Sequence, residues 1–120
     1  MIQARRLVLI GFACAALFPA AVATAHHGWS GFDTSRTLTV EGKVASVDYK
    51  NPHVTIALDA APRTWEVDLA PPSRMGARGL PDGAIKAGDT VTVVGYPHKT
   101  EPQVLRAERI TVAGKTVELR

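Results

Sequence analysis

Residues 37–50 read TLTVEGKVASVDYK, and the phase of their apolar positions decides the fold. Leu38, Val40 and Val44 alternate onto one face, as in a half-buried strand. Beyond Val44 the apolar positions move to Val47 and Tyr49, one residue out of step. A one-residue slip carries side chains to the opposite face of a strand. The switch therefore predicts a bulge or strong bend, with Gly42 a tolerant position nearby. A long first strand bent in this way can serve two sheets at once, as the first strand of an OB barrel must.

The downstream sequence keeps the same rhythm. Asn51-Pro52 is a turn, after which HVTIALDA places Val54, Ile56 and Leu58 inward and His53, Thr55 and Asp59 outward. A turn at Ala61-Pro62 leads to TWEVDL, with Trp65, Val67 and Leu69 inward and Glu66 and Asp68 on the outward face, where charge is normal. PPSRMGARGL breaks the alternation. Pro71 or Pro72 opens a short helix that ends by Gly79. Pro81-Asp82-Gly83 is a turn, IKAGDTVTVVGYP starts a strand with Val91 and Val93 inward, QVLRAERITV is the next, and Gly114 allows a final hairpin into TVEL. The expected fold is all-β: a small five- to six-stranded OB-like barrel with one short helix between strands 3 and 4. Another small β-barrel or sandwich is the rival.

Residues 1–25 read as a signal peptide. Arg5 and Arg6 precede the uncharged run Leu7–Phe18, which at 12 residues is too short to span a bilayer as a stable helix. Ala23-Thr24-Ala25 gives the small-x-small pattern of a cleavage site, and a cut after Ala23 fits as well. Cleavage after Ala25 leaves His26 first, followed by an N-terminal arm over 26–36 and a barrel domain over 37–120. The expected location is the periplasm or the medium, without stable membrane insertion. Cys14 lies in the apolar run with Phe12 where lipid attachment expects a small residue, so a lipoprotein is disfavoured and the mature chain has no cysteine. Loss of Arg5 and Arg6 takes the net charge from +3 to about +1, and no basic patch remains to predict nucleic acid as a partner.

HHGWSGFDTSRTLTVEGKVASVDYKNPHVTI resembles the start of a family of small exported bacterial proteins of unknown function. The matching positions are His26, His27, Trp29, Phe32, Asp33, Asn51, Pro52, His53, Gly88, Asp89 and Gly95. They are spread over essentially the whole mature chain. His98 has no counterpart in the pattern. The resemblance implies export and an OB-like barrel, and it supplies no activity.

The four histidines are the candidate site. An N-terminal His26 would offer an α-amine that ionises near neutral pH together with ring Nδ1, a chelating pair. All-nitrogen ligation favours Cu(II) among first-row divalent ions. His26, His27, His53 and His98 are therefore candidate metal ligands, with copper the candidate cofactor. His53 and His98 fall in the loops that border the usual OB ligand face. Each also has a plainer reading, as a solvated end, a turn-stabilising residue or a loop residue. Trp29 and Phe32 are expected to pin the arm to the barrel by burying aromatic surface. No nucleophile or metalloprotease motif is present, so an enzyme is disfavoured. The expectation is a small binding protein for Cu(II) or another divalent ion. The alternative is a metal-free interaction module for an envelope protein or saccharide. Oligomeric state stays open.

Overall fold

The computed structural model describes residues 28–120. Six strands and one helix follow in the order β1 (Leu38–Asp48), β2 (Thr55–Ala60), β3 (Arg63–Asp68), α1 (Pro72–Ala77), β4 (Thr90–Pro97), β5 (Val104–Val112) and β6 (Lys115–Glu118). The sheet order is β3-β2-β1-β4-β5-β6, and a parallel β3–β5 pairing joins its ends into a closed five-stranded barrel with β6 added outside. This is the OB-like barrel that the strand order predicted.

Closure depends on the bend in β1. Its first half pairs with β4, from Leu38↔Gly95 to Lys43↔Thr90, and its second half with β2, from Lys43↔Asp59 to Asp48↔Thr55. Between them lies a bulge, with Val44 opposite Leu58 and Ser46 opposite Ala57. The extra residue, Ala45, is the physical form of the phase switch seen in the sequence. Gly42 is stricter than a merely tolerant position. A Cβ there would collide with the Asp59 carbonyl. The Gly88-Asp89 pair ties the start of β4 to the bend: Gly88 N donates to Val44 O at 2.7 Å, and Val44 N to Asp89 O at 2.8 Å.

The core is filled by Val44, Val54, Ile56, Leu58, Val67, Leu69, Met75, Val91, Val93, Leu105 and Ile110, all essentially without solvent contact. Leu38, Val40 and Trp65 pack against it but stay half-buried. Helix α1 caps one end through Met75. It also shields β6, because Arg78 Nη1 donates to Glu118 O and Arg74 Nη1 to Leu119 O.

One expectation needs correcting. Asp68 points away from the barrel lumen, as alternation requires, yet it is only 2% exposed. His53 is likewise largely covered, its side chain retaining 14% of its accessible surface. A second layer covers the outer face of the β3–β5 seam, and a period-2 pattern carries no information about such a layer.

Candidate functional site

Two features outside the core concentrate the chemistry. The first is a groove at the edge of β3, overhung by the loop of residues 98–103, that joins the outer face of β1, β2 and β3 to the inner phase on which Trp65 stands opposite Leu58. Its two adjoining hollows, of about 460 and 360 Å³, share Trp65, Pro102, Gln103 and Val104. The groove opens where the β3–β5 ladder stops. That ladder runs only from Glu66↔Val104 to Asp68↔Arg106, so Trp65 sits just beyond its last rung and lines both hollows. Glu66 N donates to Gln103 O at 2.8 Å, fixing the loop over the strand. Gln103 itself adopts φ 66°, a left-handed conformation uncommon outside glycine. This surface, bounded by strands 2 and 3 and by the loop before strand 5, is where OB barrels hold ligands.

The loop is built on His98. Its Nδ1 accepts from Thr100 N at 3.2 Å and Glu101 N at 2.9 Å. A ring nitrogen that accepts backbone N–H groups holds no proton, so the proton is assigned to Nε2. Nε2 is buried without a hydrogen-bond partner among the described residues, and the ring meets Phe32 edge-on, with centroids 5.1 Å apart. His98 is thus committed to shaping its own turn.

The second feature is the docked arm. Phe32 bridges to His98, Asp33 N donates to Pro97 O at 2.8 Å, and Lys99 N donates to Gly31 O at 2.9 Å. Phe32, Tyr96 and Val104 form a small apolar cluster with Trp29 against it, so the arm is pinned by the two aromatics as expected. Trp29 meets Tyr96 edge-on and lies within cation–π distance of two guanidinium groups, Arg106 at 5.0 Å and Arg120 at 4.6 Å. Neither arginine stood out in the sequence, because alternation alone makes Arg106 an ordinary outward residue.

Arg106 stands opposite Asp68 across the parallel pair and is nine-tenths buried. Burial lowers its guanidinium pKa from the ordinary value; Asp68 opposes that shift and Arg74 adds to it. Its Nε has no hydrogen-bond partner among the described residues. Asp68 is shared on its other side: His53 Nδ1 lies 3.7 Å from Asp68 Oδ1, and Thr55 Oγ1 donates to the same oxygen at 3.4 Å. Nearby, Tyr96 donates to Glu108 at 2.7 Å, and that bond, with burial, raises the phenol pKa. On the arm, Asp33 is held low by hydrogen bonds from the Ser35 side chain and backbone.

Of the four candidate ligands, His26 and His27 lie outside the described residues. His53 is engaged with Asp68, and His98 with its own turn. Among the described residues no group of three histidine, cysteine or acidic side chains is arranged to hold a metal ion.

The profile of a family described as "Family of unknown function (DUF6152)" matches residues 14–105. No curated protein matches the chain in sequence. Among solved structures, the S. pombe Stn1–Ten1 complex is similar at a TM-score of 0.54 and 15% identity, over 67% of this chain and 60% of that one. The TiaS–tRNA(Ile2)–ATP complex is similar at 0.50 and 20% identity, over 73% of this chain and 19% of that one. The protein therefore spans less than two thirds of either neighbour. At these identities the likeness is one of fold.

Proposed function

The chain belongs to this family of unknown function, and from that premise we propose that it is an exported binding module whose ligand lies in the Trp65 groove. The observation that carries this reading is the gap beyond the short β3–β5 ladder. It leaves a large aromatic half-buried between a strand and a loop whose Gln103 is in a strained conformation. Export rests on residues 1–25, whose charged start, short apolar run and small-x-small site suit a cleaved signal. In the isotope-labelled processed protein, low-molecular-weight envelope material is expected to shift the backbone signals of Ser46, Thr64, Trp65, Glu66 and Gln103. Shifts confined to the arm or to the β4–β6 face would reject the groove.

A second reading, divalent-metal binding, is supported by where the arm is anchored. Trp29 stacks on Arg106, which faces Asp68 across the seam, and Asp68 in turn contacts His53. His27 is two residues before Trp29, within a contour of about 7 Å. Trp29 is thus anchored at the seam that also holds Asp68 and His53, and a carboxylate beside a histidine is a common way of orienting a metal-binding ring. In this reading His26 and His27 hold Cu(II), His53 joins them, and His98 does not. Protein shown by intact mass to begin at His26 should bind one Cu(II), with affinity falling below about pH 6.5 as the nitrogens protonate. His53→Ala should weaken that binding. Affinity no better than that of a His-His peptide in solution ends the metal reading.

A further inference from the structure

We propose that the occupant of the Trp65 groove is a neutral saccharide chain; this rests on the groove reading above and names its ligand class. Charge argues first. The walls carry Asp48, Glu66 and Glu101 against Arg36 and Arg63, so the groove offers a polyanion no net attraction and little counterion release. Nucleic acid also needs a row of aromatic platforms for successive bases, whereas Trp65 stands as the one tryptophan of the groove walls.

An extended peptide is disfavoured by the strand edges. Peptides add to a sheet through a free edge several residues long. Here β5 occupies the β3 edge from Glu66 onward, which leaves only Arg63–Trp65 unpaired on that side. What remains is the half-buried Trp65, on the inner phase of β3 opposite Leu58, in a hollow whose polar lining includes Arg36, Arg63, Glu101 and the Gln103 amide. A sugar ring presents the complementary pattern, a patch of C–H bonds for the aromatic and a rim of hydroxyls that both donate and accept. Gln103 supplies an independent pointer. A non-glycine residue held at φ 66° costs stability and persists where its placement matters, and this one lines both hollows.

The test uses the processed, isotope-labelled protein and four probes: cellotetraose, N-acetylchitotetraose, an oligothymidylate and an unstructured peptide. A neutral tetrasaccharide is expected to shift the Trp65 indole and the Gln103 side-chain amide while leaving the Trp29 indole in place. Trp65→Ala and Gln103→Ala should each weaken that binding, Trp65→Ala about tenfold. Gln103 is on an exposed loop, so its variant stays informative if Trp65→Ala proves unstable. If the oligothymidylate or the peptide moves these signals and the tetrasaccharides do not, the saccharide assignment falls and the groove stands. If no probe moves them, the saccharide assignment falls, and shifts induced elsewhere by envelope material would remove the groove as well.

Discussion

One glycine and one aspartate show what single residues decide here. Gly95 lies where β4 meets the bulge of β5, with Val94 opposite Arg109 and Gly95 opposite Ala107. A Cβ on Gly95 would run into the Arg106 carbonyl, and backbone cannot step aside as a flexible side chain can. Gly95→Ala is therefore expected to destabilise the protein by about 1–3 kcal/mol, the usual range for overpacking, as read by urea unfolding. A change near zero would mean that the β5 bulge relaxes freely. Asp68 shows the opposite relation between pattern and structure. Its phase on β3 was legible and its burial was not. His53 and Thr55 close on it from the β2 side, and Arg106 flanks it under Trp29 from the β5 side. All of these come from segments distant in the chain. A buried carboxylate needs such partners, since leaving one unpaired is costly.

Among the elements, the arm is the one whose role changes most on folding. In the sequence it is a polar segment with two aromatics. In the structure Phe32 is only 2% exposed and belongs to a cluster separate from the barrel core, while backbone bonds at Gly31 and Asp33 extend the β4 end. Phe32→Ala should therefore cost about 3–5 kcal/mol, as for a core aromatic, although it lies outside every strand. Thermal or urea unfolding reads this directly, and a loss below about 1 kcal/mol would mean that the arm docks without contributing to stability. The same variant should loosen the 98–103 loop, because Phe32 packs on His98 at its base. The strands and α1 were more legible than the arm. The bulge in β1, the helix opening at Pro72 and the turn at Gly114 each follow from local backbone chemistry that a sequence displays.

Over the whole molecule, alternation along each strand, the phase switch in β1 and the helix between β3 and β4 were enough to point to a small OB-like barrel and to the part of its core on β1–β4, including Val54, Ile56, Leu58, Val67, Val91 and Val93. Those signals are local, because a strand repeats every two residues and a turn is made by its own glycines and prolines. Sequence order also brought the loops carrying His53 and His98 to notice. It could not assign their roles. Only the tertiary structure turned the His98 ring to the backbone of its own turn, set His53 against Asp68, stacked Trp29 on Arg106 and Arg120, and ended the β3–β5 ladder short of Trp65. All but the first of these join residues far apart in the chain, and what decides them is how the arm, the loop and the chain end pack over the finished barrel. Periodicity specifies which face a side chain leaves from. What covers that face afterwards is settled by three-dimensional packing alone.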